Sequence, residues 1–235
     1  TLIADILMDI IQRRLLQTIS IVADGLEGKV EIELSELRSM MPLAIDHTVG
    51  GLLAETVMNG SVSITDIITD RTEKRRVLMQ FAEMQMQHRA QKLHFDKVLS
   101  EFTSLLKGED IDFVVFKGPA VASWYASPWC RTMGDIDFYV PEWDYERALS
   151  LIQKKLKLTV ERCDADKHDS FSYRGIRFEM HYQMETFGAG KHQRYFSALV
   201  DKEIKDGRLG HFCVSTGVQV PMLSPEADLI LVFKH

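Results

Sequence analysis

The chain has 235 residues, 46% of them hydrophobic and 26% charged, enough to bury one large core or two modest ones. Its formal charge of −6 and isoelectric point near 5.8 give no general attraction for a polyanion, so a nucleic-acid groove would have to be local, and small phosphorylated substrates are the simpler expectation. The apolar runs, such as 2–11 and 229–233, are short or broken by polar residues, whereas a membrane-spanning helix needs about 20 mostly apolar ones; no transmembrane helix is expected.

From Thr1 to about Lys107 the pattern is helical almost throughout. Leu2, Ile3, Ile6, Leu7, Ile10, Ile11 and Leu15 recur at helical spacing, and Gly25 and Gly28 punctuate the end of that helix. The start has neither the basic head nor the small-residue cleavage site of a secretory signal, and Thr1 is no natural start, so the chain is expected to be a fragment. A second helix is predicted over 34–41, stopped by Pro42, and a third over 44–58, closing at Asn59-Gly60. After 61–68 one long helix is expected over about 70–106, because Phe95, Leu99, Phe102 and Leu106 share a face. Arg71, Lys74, Arg75 and Arg76 in its first turns read as a solvated surface.

The character changes at Gly108. Residues 111–116 form a β-rich run, Lys117-Gly118-Pro119 a tight turn, and 120–126 a helix. A second strand is predicted at 136–140, a helix at 142–155 and a third strand at 158–162. Residues 171–173 and 176–182 follow as a hairpin through Arg174-Gly175, where glycine supplies the positive φ. Residues 225–235 open like a capped helix but reach no Gly or Asn stop signal, so the core is expected to be truncated at its C-terminus. These elements place a helical region at 1–107 and a mixed α/β core at 108–235. Cys130, Cys163 and Cys213 are far apart and lack CxxC spacing, which argues against a disulfide framework or a zinc site and fits a reducing cytoplasm.

In a strand the side-chain period is two, so Asp135 and Asp137 point to one face while Ile136 and Phe138 point to the other. Two converging carboxylates repel unless a cation neutralises them, and hard oxygen ligands suit Mg²⁺ or Mn²⁺. A lone Asp-x-Asp is also what alternating polar positions on a half-exposed strand produce, so context decides. The same period sets Arg177, Glu179 and His181 on one face of the later strand, and Glu179 can supply a third acid. Three convergent acids meet the needs of a two-metal phosphoryl-transfer site, in which ions about 3.5–4 Å apart are bridged and balanced. Lys117-Gly118, between strand and helix, is suited to cradling phosphate oxygens, although an ordinary turn with a surface lysine has the same sequence. Arg131 could also reach phosphate. His181 is expected to be a structural histidine bonded to a neighbouring carboxylate, and Trp124-Tyr125 to pack into a core.

Taken in order, Phe116-Lys-Gly-Pro-Ala120, Trp124-Tyr125, Arg131, Asp135-Ile-Asp-Phe138, Phe178-Glu-Met-His-Tyr182 and Leu223-Ser-Pro-Glu226 resemble the uncharacterised nucleotidyltransferases of the polymerase-β-like superfamily. Asp46-His-Thr-Val-Gly-Gly-Leu-Leu53 is similar to the helical segment that precedes their core. The resemblance implies an α/β (α+β) minimal nucleotidyltransferase fold with a mixed sheet, preceded by a helical N-terminal region. It further implies that Asp135, Asp137 and Glu179 are the metal-binding acids, that Mg²⁺ or Mn²⁺ is the cofactor and an NTP the substrate, and that Lys117 and Gly118 stand where the superfamily has its phosphate turn. That turn is usually Gly-Gly or Gly-Ser, so Lys117 is a departure. The expected activity is transfer of a nucleoside monophosphate from an NTP to an unknown acceptor, a small molecule or protein before a nucleic acid. The alternatives are an inactive nucleotide-binding or partner-binding module and a metal-dependent phosphohydrolase.

Overall fold

The computed structural model describes residues 2–25, 28–65, 71–163, 167–185, 187 and 190–234, without the side chains of 2–9. The side-chain pattern read over 2–7, together with Asp70 and His235, therefore lies outside the described residues. The chain divides into two compact units, residues 1–92 with 124–132, and residues 93–123 with 133–235.

The first unit is built on α1 (Leu2–Ala23), α2 (Leu34–Asp46), α3 (Gly50–Met58) and the first part of α4 (Arg71–Gly108). Leu15, Leu37, Met40, Leu53 and Phe81 are among its buried core. It also holds a small parallel sheet, β1 (Val30–Ile32) beside β2 (Val62–Ile64), paired from Val30↔Val62 to Ile32↔Ile64. The helical reading missed this sheet, because three-residue strands are too short to show a period.

Pro42 does not stop α2, which continues to Asp46. A helical proline removes the bond to the carbonyl four residues earlier. Here Pro42 and Arg38 are both exposed, so water can reach the freed carbonyl while Leu37, Met40, Leu43 and Ala44 stay buried. The real break comes at Thr48, whose φ is 58°, where Val49 N donates to Ala44 O at 2.8 Å and closes the helix. The segment 124–132 belongs to this unit: Trp129 Nε1 and Gln85 Nε2 donate to the buried Glu55 carboxylate. Trp124, expected in a core, is exposed, whereas Tyr125 packs against the unit's core.

The second unit carries a mixed seven-stranded sheet in the order β5-β6-β7-β4-β3-β9-β8. The strands are β3 (Val114–Phe116), β4 (Asp135–Tyr139), β5 (Glu161–Cys163), β6 (His168–Tyr173), β7 (Ile176–His181), β8 (Gly210–Cys213) and β9 (Gln219–Met222). β3 and β5 begin three residues later than expected. The helix after β3, α5 (Gly118–Ala122), stops short of Ala126. α6 (Glu142–Ser150) passes into a π-helical turn over Leu151–Lys155. The elements α7 (Gly190–Lys205), β8 and β9 were not anticipated. α8 (Pro225–Lys234) forms as expected, with Ala227 N donating to the Ser224 hydroxyl at its start.

One face of this sheet is apolar. Ile136, Phe138, Phe178, Met180 and Phe171 pack there with Phe95, Leu99, Phe102 and Leu106 of α4 and with Ala148 and Ile152. The α4 stripe read from its spacing is buried as predicted. Phe102 sits at the centre, its ring 4.7 Å from that of Phe178 and 5.2 Å from that of Phe138. On the opposite face Val114, Phe116 and Tyr139 pack with Phe196 and Val200 of α7 and Ala227 and Leu231 of α8. The polar residues of β4 and β7, with His168, Ser170 and Ser172 of β6, share that second face, whereas Asp169 alternates onto the apolar face and accepts a hydrogen bond from the Tyr145 hydroxyl.

Candidate functional site

The site follows from strand period and pairing. β4 runs parallel to β7 in a register that sets Asp135 beside Arg177, Asp137 beside Glu179 and Tyr139 beside His181. β6 adds an antiparallel neighbour with His168 opposite His181, Ser170 opposite Glu179 and Ser172 opposite Arg177. Alternation sends Ile136, Phe138, Phe178 and Met180 into the core, each at most 1% exposed, and leaves the polar set on the other side. Glu179 thus shares a face with Asp135 and Asp137.

Asp137 is the most enclosed of the three acids, at 5% exposure. Its Oδ1 is hydrogen-bonded to His181 Nε2 at 3.0 Å and lies 3.8 Å from Lys117 Nζ. Glu179 accepts a hydrogen bond from Arg177 Nε at 3.0 Å, with His168 Nδ1 3.7 Å and His181 Nε2 3.8 Å from its other oxygen. Asp135 is half-buried. Burial pushes its carboxyl above the ordinary range, Asp137 and Glu179 push it further, and Lys117 and Arg177 pull it back. Three carboxylates therefore compete for positive charge on one sheet face.

Lys117 and Gly118 form the turn from β3 into α5. Phe116 is in register with Asp137, which brings the turn beside the acids. Lys117 has φ 55° and ψ −139°, a conformation that favours glycine. A Cβ on Gly118 would lie 3.2 Å from the backbone oxygen of Asp135, so glycine there lets the turn approach the acid strand. Arg131 is the one predicted site residue that belongs to the other unit; it follows a 3₁₀ turn, and its Nε is buried without a hydrogen-bond partner.

His181 is hydrogen-bonded to a carboxylate, as its position suggested. His168 carried no such signal, because nothing local links it to residues eleven and thirteen positions later. The hairpin brings the two rings to 5.0 Å between centroids. A cleft of about 330 Å³ lined by Thr159, Glu161, Ser170, Phe171, Ser172 and Arg177 borders the same strands.

A family model described as uncharacterised nucleotidyltransferase matches residues 35–235. The chain belongs to that family. The resemblance of its motifs, from the Lys117 turn through Asp135 and Asp137 to Glu179, thus rests on a match that also takes in α2 and α3. No curated protein matches the chain. Among solved structures it is similar to an antigenic nucleotidyltransferase-like protein from Paracoccidioides brasiliensis, with 17% identity and a TM-score of 0.38 over 59% of this chain. The chain spans 63% of that protein's length. Among the described residues no helix is long and apolar enough to cross a membrane.

Proposed function

We propose that this family member transfers a nucleoside monophosphate from an NTP to an acceptor hydroxyl or phosphate, with Asp135, Asp137 and Glu179 holding Mg²⁺ or Mn²⁺. The observation that carries the reading is the registered Asp137–Glu179 pair with Asp135 on the same face. The donor set fits the ions: the three acids offer only oxygens, and repulsion from Asp137 and Glu179 helps hold the Asp135 carboxyl above its ordinary range. When bound, such ions would polarise the phosphate oxygens and lower the pKa of the attacking hydroxyl.

In the transfer, a hydroxyl acceptor loses its proton to solvent, the acceptor oxygen forms a bond to the α-phosphorus as the bond to the α–β bridging oxygen breaks, and the β- and γ-phosphates leave as pyrophosphate. Catalysis of this kind is mostly positioning and charge stabilisation. Lys117 and Arg177, already beside Asp137 and Glu179, would turn their charges to the triphosphate once the acids are neutralised. Gly118 lets that turn lie against the Asp135 strand. The net charge of −6 favours a small molecule or a protein side chain as acceptor over a nucleic acid, and three scattered cysteines without CxxC spacing favour a reducing cytoplasm.

The test is incubation with each labelled NTP, Mg²⁺ or Mn²⁺ and a cell extract. A labelled acceptor and released pyrophosphate are expected, both lost in Asp135→Asn; a variant that labels as well as the parent refutes the assigned acids. The Lys117–Asp137 ion pair at 3.8 Å favours a second reading, a binding module in which the lysine neutralises an acid and turnover is lost. Metal-dependent NTP binding without pyrophosphate release would select it. Inorganic phosphate or nucleoside monophosphate released without a labelled acceptor would instead indicate a phosphohydrolase.

A further inference from the structure

The acids are only part of this face, because two imidazoles stand beside them. His168 and His181 are 5% and 4% exposed. Both ring nitrogens of His168 and Nδ1 of His181 are buried without a hydrogen-bond partner. A buried imidazole nitrogen with nothing to bond costs free energy, and three of them within one hairpin are an unusual concentration. One ligand atom from each of His168, Glu179 and His181 lies within 4.8 Å of the other two. Glu179 Oε2 is 3.7 Å from His168 Nδ1 and 3.8 Å from His181 Nε2. Ligand atoms about 2.0–2.1 Å from a tetrahedral ion are about 3.3–3.4 Å apart, so the two edges to Glu179 need to shorten by only a few tenths of an ångström, and His181 Nε2 would exchange its hydrogen bond with Asp137 for the ion.

We propose that His168, Glu179 and His181 form a nitrogen-bearing site for a borderline divalent transition ion such as Zn²⁺ or Co²⁺, distinct in chemistry from the all-oxygen acid set but sharing Glu179 with it. Two imidazoles and one carboxylate suit Zn²⁺, Co²⁺ or Ni²⁺, whereas Mg²⁺ prefers oxygens and keeps its waters. The arrangement is held from behind. His168 and His181 are in register across the β6–β7 ladder, Phe116 packs edge-on against the His181 ring at 5.0 Å, and the strand between the histidines turns tightly at Arg174-Gly175. Such an ion would occupy Glu179 and set the nitrogen-bearing site against the acid trio for that one residue. The proposal does not rest on the transferase reading, since it concerns ion binding alone.

The test uses the full metal-free chain and Co²⁺ as the probe. Titration is expected to give one equivalent of bound ion with the visible absorption of a four- or five-coordinate site, displaced by stoichiometric Zn²⁺ and retained in excess Mg²⁺. His168→Gln should weaken Co²⁺ binding at least tenfold, while Asp135→Asn keeps the same spectrum. In the unmutated protein, Zn²⁺ should shift the ring-nitrogen resonances of two histidines, which reads the ligands even if His168→Gln folds poorly. Weak octahedral absorption, displacement by Mg²⁺, or no histidine shift on adding Zn²⁺ would overturn the site. Loss of NTP labelling with these signals intact would count against the transferase reading alone.

Discussion

Replacing Lys117 by glycine and by alanine separates backbone strain from charge at the turn beside the acids. The residue sits at φ 55°, ψ −139°, where a non-glycine residue costs about 1–3 kcal/mol. Glycine escapes that cost but loses about 0.5–1 kcal/mol through the freedom of its unfolded chain. The net preference for glycine over alanine is therefore about 0–2.5 kcal/mol, centred on about 1 kcal/mol. Both variants forfeit the ion pair with Asp137 at 3.8 Å. Its gross Coulomb energy is about 4 kcal/mol at an effective dielectric of about 20, but with Lys117 still 28% exposed screening and side-chain entropy leave about 0.2–1 kcal/mol. The expected stability order is Lys117→Gly first, the parent next and Lys117→Ala last. At about 2–4 °C per kcal/mol, the two variants should differ by about 2–4 °C in melting temperature by circular dichroism, and by no more than about 10 °C. An alanine variant as stable as the glycine variant would show that no strain is stored at residue 117. Equal weakening of NTP binding in both would assign the remaining effect to the ammonium group.

Gly118→Ala should cost more activity than stability, because its Cβ would meet the Asp135 carbonyl at 3.2 Å and shift the acid strand; parallel assays of labelling and unfolding check this, and equal losses in both count against it. Phe102→Ala should destabilise the protein by about 3–5 kcal/mol, since the ring is 1% exposed and lies behind both acid strands; a loss below about 1 kcal/mol in urea unfolding would show that the core closes over the gap. Burial holds the His88 imidazole below its ordinary range, so between its folded and unfolded values the unfolded chain binds more protons and stability falls as the pH drops through about 6.5. His88→Gln should flatten that part of the stability curve, and a variant with the parent's slope would refute the assignment.

Much of the local chemistry was legible. Alternation along 135–138 and 176–182 assigned the acids to one face, and the spacing of Phe95, Leu99, Phe102 and Leu106 predicted the buried stripe of α4, because both patterns are set by backbone geometry over a few residues. α7 was legible in principle, for Phe196, Val200 and Ile204 recur at helical spacing and are all buried. The three-residue strands of the first unit were not, and Pro42 misled because a proline's effect depends on whether the carbonyl it frees can reach water.

By itself the sequence determined which side chains could face together: Asp135 with Asp137, and Arg177 with Glu179 and His181. Only the tertiary structure decided which strands are neighbours. β4 lies beside β7 across some forty residues of intervening chain, β6 turns His168 toward His181, and the Lys117 side chain meets Asp137. Strand period is a property of adjacent residues. Strand order depends on how distant segments share one core, and that order sets a third acid and two imidazoles beside a pair of aspartates.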